Sequence, residues 1–440
     1  MKIKQAENAI SGLRIDLVLL ILIAVFFTAD QAALIPNYLL IEKEFGIKHA
    51  QMGAVSSIFI VIGAVSTILW GYWTDKYSRK KLLVFGTLMG EIPCFLTAFT
   101  QSYAQLFLVR ALTGLGIGVI LPVGYSLLGD YFPSQQRGRS IGWFMSAVGL
   151  GYLLGAVLAG TIGPRLGWRY PFILCSVPNF ILIPLFYLLA KEPERGATEP
   201  EIEKSVSSGV AYLHKVKLRD FKRIITIRTN LFLNLQSIPG CIPWGILSFW
   251  VITFIVKERG FTITAATLIG FIFGMARIVG NLYGGHMGDH FYKKSPIQQI
   301  NLCIATILGA VPLIIFTIIY FPSADMGWLR IIMTILIGFL GISLASVAGP
   351  NSRAIFLNVN VPENRGIMLS VANLTDVIGV GIGPFLGGVM ADRYGLSFTL
   401  YAFTLFAIPC ALLWLPLIKT VPHDTHQFRK LMETRAKIER

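Results

Sequence analysis

Twelve apolar blocks, each long enough to cross a bilayer as a helix, dominate the chain: 15–40, 50–74, 82–100, 103–129, 138–163, 170–190, 230–256, 263–287, 297–320, 327–350, 366–391 and 396–418. A span needs roughly 20 mostly apolar residues to cover a hydrocarbon core of about 30 Å. Lipid offers no partner for backbone polar groups, so each block must satisfy them internally as a helix. A barrel would show alternating segments of roughly ten residues, and none is visible. The first block is too long for a signal-peptide core and has no small-residue cleavage site in a polar stretch, which predicts a mature span. Only 14% of the 440 residues are charged, against roughly a quarter in soluble domains. That balance excludes a soluble or disordered chain. It also excludes a nucleic-acid binder, despite a net charge of +15, because too little polar surface remains to build a basic face.

The charge is better read as orientation. An even number of spans puts both termini on one side, where the loops and termini hold 28 Lys and Arg against 8 opposite; the other two, Arg110 and Arg277, lie inside spans. The excess predicts cytoplasmic termini in a multi-pass protein of the cell (inner or plasma) membrane, with the basic face toward anionic lipid head groups. The five cysteines all fall inside spans without a C-x-x-C spacing and read as small hydrophobes.

The polar stretch at 191–229 separates a six-helix half, 1–190, from a second one, 230–418, followed by a cytoplasmic tail, 419–440. The fold class expected is thus an all-α membrane protein, twelve transmembrane helices in two pseudo-symmetric halves. The halves repeat each other. At an offset of 214 residues, 41–46 falls on 255–260, and Gly71, Asp75 and Lys80 fall on Gly285, Asp289 and Lys294. At an offset of 228, Arg137-Gly138 falls on Arg365-Gly366 and Gly167 on Gly395. Duplicated six-helix units are a transporter design, with solute held between halves that rock. Within the stretch, 201–225 carries apolar residues at helical spacing amid Lys215, Lys217, Lys222 and Arg223, so it is either a basic helix on the membrane surface or a solvated linker.

Gly71-Tyr72-Trp73-Thr74-Asp75-Lys76-Tyr77-Ser78-Arg79-Lys80-Lys81 resembles the major facilitator superfamily signature between helices 2 and 3, and 285–294 looks like a weaker second copy. Arg110 followed by Gly114 is similar to that family's helix-4 pattern. The Gly167-Trp168-Arg169-Tyr170-Pro171-Phe172 and Lys191-Glu192-Pro193-Glu194-Arg195-Gly196 runs, with Ala29-Asp30-Gln31, resemble the spinster-like branch, although Gln31 and Ile117 stand where that branch tends to carry Arg and Glu. The resemblance implies a secondary active transporter for an amphiphilic, anionic, lysolipid-like solute, with a proton as partner. The alternatives are a multidrug or organic-anion exporter of the same superfamily and a transporter-like receptor or sensor. It further implies a conformational latch at the cytoplasmic ends of the halves, formed by Gly71, Asp75, Arg79, Lys80, Arg137 and Asp289. Otherwise these are topology charges alone.

Charges within spans are costly, roughly 2.5–3.5 kcal/mol each on insertion scales, and so should face a cavity or a partner. Asp30 lies roughly 15 Å and Arg110 roughly 10 Å from the same membrane face, counted at 1.5 Å per residue. An Asp30–Arg110 pair follows, either a proton switch that frees Arg110 for an anionic group or a static ion pair; Glu91 is a further candidate for proton coupling. Arg277 either binds an anionic head group or snorkels or pairs with Asp376. Trp244 stands at the position equivalent to Asp30, and Asn234, Gln236, Pro239 and Pro243 make helix 7 polar and bendable. Arg277, Asp376, Trp244, Gln236, Asn234 and Gln31 are the expected substrate-binding residues. Trp250 either joins the cavity or anchors the interface. The Gly runs at 114–118 and 379–383 complete no nucleotide fingerprint and read as helix-packing surfaces, and the run at 383–388 is expected to allow close, bendable packing between halves. His286 and His290 have metal-compatible spacing but no third ligand, so no metal is expected. No catalytic constellation and no cofactor motif is visible, and a monomer that is not an enzyme is expected.

Overall fold

A computed structural model describes residues 2–132, 134–193, 227–360 and 362–438. The expected surface helix at 201–225 lies outside these residues. The chain divides into two compact units, Met1–Leu213 and His214–Arg440. The first contains α1 (Lys2–Ala32), α2 (Tyr38–Phe45), α3 (His49–Lys76), α4 (Arg79–Thr97), α5 (Tyr103–Ile117), α6 (Ile120–Tyr131), α7 (Ser134–Leu166) and α8 (Tyr170–Leu189). The second contains α9 (Arg228–Lys257), α10 (Ile263–Lys294), α11 (Pro296–Ile319), α12 (Trp328–Ser346), α13 (Ala348–Val359), α14 (Pro362–Tyr394), α15 (Leu396–Thr404), α16 (Ala407–Trp414) and α17 (Leu417–Ile438). No strand occurs among the described residues.

Eleven helical segments among the described residues are long and apolar enough to cross a membrane. The twelfth expected span is α4, which is 19 residues long but opens with Arg79, Lys80 and Lys81 and carries Glu91 within it. The blocks at 15–40, 103–129, 327–350 and 396–418 are not single helices. Each breaks about four residues before a proline: Pro36 after Ala32, Pro122 after Ile117, Pro350 after Ser346 and Pro409 after Thr404. A proline ring removes an N–H and collides with the carbonyl four residues back, which accounts for the positions. The tenth block consequently runs on through α13 to Val359, so Arg353 lies on a helix and not in the loop where its sequence neighbours put it.

The repeat is written in the backbone. The glycines with positive φ among the described residues are Gly46 (64°), Gly260 (73°), Gly167 (104°) and Gly395 (85°), and they pair at the offsets of 214 and 228. Gly46 ends α2 in the left-handed region, where a Cβ is unfavourable. A joint beside each pair is conserved within the chain. Glu44 accepts the Trp168 indole N–H at 2.6 Å and pairs with Arg169. Its equivalent, Glu258, accepts the backbone N–H of Leu396 at 2.7 Å and of Ser397 at 3.2 Å, plus the Ser397 hydroxyl. In both units a carboxylate at the end of the first span ties down the start of the last one.

Each unit packs its first span against its fifth through small residues. A Cβ on Gly155 of α7 would lie 1.9 Å from the Ala29 carbonyl oxygen of α1, and one on Gly383 of α14 would lie 2.9 Å from Gly245 Cα of α9. The 379–383 run therefore packs helices together inside the second half, Gly379 against Cys241 and Gly383 against Gly245. Side chains such as Val65, Ile68, Phe85, Leu188, Leu282 and Leu336 point outward. Apolar faces of that extent suit lipid rather than water.

Candidate functional site

In the first unit, α1, α4, α5 and α8 bring together a polar cluster that is almost sealed. Asp30 is 1% exposed, Glu91 0% and Arg110 1%. Asn179 of α8 donates its amide to Glu91. Arg110 donates to the Cys94 thiol at 3.6 Å and stacks on the Phe59 ring at 4.5 Å and the Phe172 ring at 5.8 Å. Asp30 neighbours Glu91, Cys94 and Arg110, yet neither of its oxygens meets a donor in full hydrogen-bond geometry. Glu91 Oε2, Arg110 Nε and Ser176 Oγ are left the same way. Depth counting thus brought Asp30 and Arg110 to one place. The direct ion pair it suggested is not formed among the described residues; the guanidinium is held between two rings and a thiol instead. Gln31, expected at the substrate, spends its amide on the Phe27 carbonyl at 2.9 Å. Cys94 and Asn179 were missed because a thiol and an amide in apolar blocks carry no charge to flag them.

In the second unit a cavity of about 450 Å³ opens between α9, α10, α13 and α14, with contributions from α11, α12, α15 and α16. Gln236, Trp244, Arg277 and Asp376, four of the expected binding residues, line it together with Asn281 and Arg353. The volume falls in the range of small-molecule sites, roughly 300–1,000 Å³. Pro239 and Pro243 both lie within α9, and Pro243 lines this wall. Arg277 stacks over the Trp244 ring at 5.0 Å. Asp376 pairs with Arg353 and accepts the Ser237 hydroxyl, so the Arg277–Asp376 pair weighed from sequence is not the one formed. Arg353 was missed because it was counted with the loop charges. The proline three residues before it, Pro350, was the available sign of a new helix there.

Two expected residues have other duties. Asn234 is absent from this cavity wall; it donates to the Asn230 carbonyl at 2.7 Å and accepts from Thr375 at 3.2 Å. Gln236 reaches the wall, but its oxygen accepts from Cys410 and Trp414 and its nitrogen donates to the Leu233 carbonyl. Trp250 neither lines the cavity nor faces outward: it is fully buried and donates to the Pro384 carbonyl at 2.9 Å.

The signature residues divide. Arg79 is 2% exposed and pairs with Asp130 and Glu192 of its own unit. Lys80 donates to the Ala190 carbonyl at 2.6 Å, and Tyr131 to that of Lys191 at 2.6 Å. These contacts staple the segment after α8 to the start of α4 and the end of α6. A Cβ on Gly71 would meet nothing within 4 Å, and Asp289 is exposed. The side chains of Asp75 and Arg137 lie outside the described ones.

The fold and both sites can now be set beside known proteins. The chain is 24% identical to a probable 4-methylmuconolactone transporter of Cupriavidus pinatubonensis, over 83% of this chain and 82% of that one. It is 23% identical to protein spinster homolog 1 of Xenopus tropicalis, over 80% and 68% respectively. It is also 23% identical to a hexuronate transporter of Bacillus subtilis, over 83% and 85%. The crystal structure of a bacterial homolog to the human lysosomal transporter spinster superposes with a TM-score of 0.83 at 18% identity, covering 94% of this chain and 98% of that one. These similarities carry the expected twelve-helix, two-half layout and a spinster-like cast. The Major Facilitator Superfamily profile matches residues 20–352 and 344–440, and the chain is a multi-pass membrane transporter belonging to that superfamily.

Proposed function

We propose that this protein is a secondary active transporter that moves an amphiphilic organic anion, lysolipid-like or smaller, by alternating access coupled to protons. The observation that carries the reading is Arg277. Its guanidinium faces the cavity of the second half, backed by the Trp244 ring, and no carboxylate among the described residues pairs with it. A cation held in a mostly apolar wall at membrane depth invites an anion. The ring and the aliphatic lining suit an apolar body behind that charge. The relatives named for hexuronate and 4-methylmuconolactone support a small organic anion. The spinster-like relatives support the lysolipid end of the range.

The sealed cluster of the first half supports the coupling role. A proton taken by Asp30 or Glu91 changes the charge balance around Arg110 without any solvent-exposed group. Asp75, Arg137 and Asp289 remain the candidates for a latch, while Arg79 and Lys80 act inside their half. The Lys and Arg asymmetry supports cytoplasmic termini in the cell membrane, and nothing in either half requires a second copy.

A thermal-shift panel on the purified protein tests the substrate class, using lysophospholipids, hexuronates and cationic drugs as probes. Stabilisation by at least one anionic group is expected. Stabilisation by cationic drugs alone would remove the anion reading. Flux in proteoliposomes tests the coupling: Asp30→Asn should abolish its pH dependence, and an unchanged pH profile would sink the proton role.

A further inference from the structure

Three charged side chains line the cavity of the second half, Arg277, Arg353 and Asp376. They are not equivalent. Arg353 donates to Asp376 Oδ2, and Ser237 donates to Oδ1 of the same carboxylate. Both oxygens of Asp376 are engaged, and the charge of Arg353 is compensated where it stands. The Gln236 oxygen accepts from Cys410 and Trp414 and its nitrogen donates to the Leu233 carbonyl, so it carries no charge and little free acceptor capacity for a solute. Arg277 has a ring at its face, and its N–H edges have no acidic partner among the described residues. The wall therefore carries two cations and one anion, a net single positive charge focused on Arg277.

We propose that Asp376 sets the charge of the solute this cavity accepts. By neutralising Arg353 it leaves one uncompensated cation, so the site selects monoanions over dianions of the same body. The inference rests on the anion reading given above and adds which anions. One carboxylate, sulfonate or phosphate monoester anion can take the free edge of Arg277 in a two-point contact. A second negative charge would meet Arg353 already occupied and Asp376 repelling it. In a mostly apolar cavity that repulsion is weakly screened.

The test uses the full-length protein in nanodiscs and two matched probe pairs: cyclohexanecarboxylate with trans-1,4-cyclohexanedicarboxylate, and glucuronate with glucarate. Calorimetric titration gives the ratio of monoanion to dianion affinity for each pair. Wild type should prefer the monoanion at least tenfold in at least one pair. Asp376→Asn keeps the size and the Ser237 contact but frees Arg353, and should shift that ratio at least tenfold toward the dianion. Arg353→Gln removes the net charge and should weaken both probes at least tenfold. The double variant Asp376→Asn/Arg353→Gln restores one net positive charge and should recover the wild-type preference, which a merely structural role of the pair would not produce. If Asp376→Asn does not yield folded protein, the double variant and Arg353→Gln decide the matter. An unmoved ratio in folded Asp376→Asn, or a double variant lacking the preference, overturns the proposal while leaving anion binding intact. Failure of wild type to bind either monoanion overturns both this proposal and the anion reading beneath it.

Discussion

In the first half, Asp30, Glu91 and Arg110 are 1%, 0% and 1% exposed. In the second half, the side chains of Arg353 and Asp376 keep 31% and 30% of their surface, and Arg277 is more open still. The halves derive from one repeated unit, and they share their left-handed glycines and their Glu44 and Glu258 joints. Their intramembrane charges nevertheless lie on different helices: α1, α4 and α5 in one, α10, α13 and α14 in the other. A duplicated frame has thus been loaded twice. Charges sealed from solvent cannot meet a solute directly, whereas charges on a cavity wall can. The contrast suggests a division of labour in which the first half senses and the second half binds.

The largest effect that would break this comparison is on stability. Arg110→Gln takes the guanidinium out of a sealed cluster and forfeits its contacts with the Phe59 and Phe172 rings and the Cys94 thiol, and should cost about 2–3 kcal/mol. Arg277→Gln exposes a neutral amide to a cavity and should change stability by about 0.5 kcal/mol or less while removing anion binding. Thermal melts of the two variants in one detergent check this. Equal losses would end the distinction between sealed and open charges. Next come the packing glycines. Gly155→Ala drives a methyl into the Ala29 carbonyl and Gly383→Ala meets Gly245 at a looser distance, so the first should cost about 2–3 kcal/mol and the second about 1. The joints come third. Glu258 accepts two backbone amides and a hydroxyl but is exposed too, so Glu258→Gln should cost about 1 kcal/mol. The Glu44 side chain is 42% exposed and its Arg169 pair is screened, so Glu44→Gln should cost less than about 1 kcal/mol.

The frame was legible in the residues for a physical reason. Span length and the 214 and 228 offsets are properties of the chain itself, and each is one-dimensional. The helix breaks before Pro36, Pro122, Pro350 and Pro409 were not legible, because Pro93, Pro239, Pro312 and Pro384 sit inside unbroken helices and proline alone does not tell the two cases apart. The sites were half legible. Charge in an apolar block flagged Asp30, Glu91, Arg110, Arg277 and Asp376, because lipid makes every such charge conspicuous. Partners were not legible. Whether Arg110 meets Asp30 or the rings of Phe59 and Phe172 depends on helix rotation, which depth counting does not contain. Arg353 escaped because a charge near a span end looks like topology. Gln236 reaches the cavity wall as the sequence suggested, but only the fold reveals that its oxygen is bonded to Cys410 and Trp414.

The smallest effect is also the finest probe of the two halves, because both stack a guanidinium on a ring. Arg110 lies 4.5 Å from the Phe59 centroid and Arg277 lies 5.0 Å from that of Trp244. A ring face attracts a cation by about 0.5–1 kcal/mol at exposed sites and about 2 kcal/mol when desolvated. The same substitution should therefore read out differently. Phe59→Leu keeps apolar volume in the sealed cluster and should lower stability by about 1–2 kcal/mol without touching anion affinity. Trp244→Leu removes the face that orients Arg277 and should weaken anion binding about two- to fivefold, with little change in the melting temperature. Measuring melts and titrations on both variants crosses the two readouts. Should Phe59→Leu alter affinity as much as Trp244→Leu does, the first-half cluster would be part of the binding site, and the division between sensing and binding would have to be redrawn around Arg110.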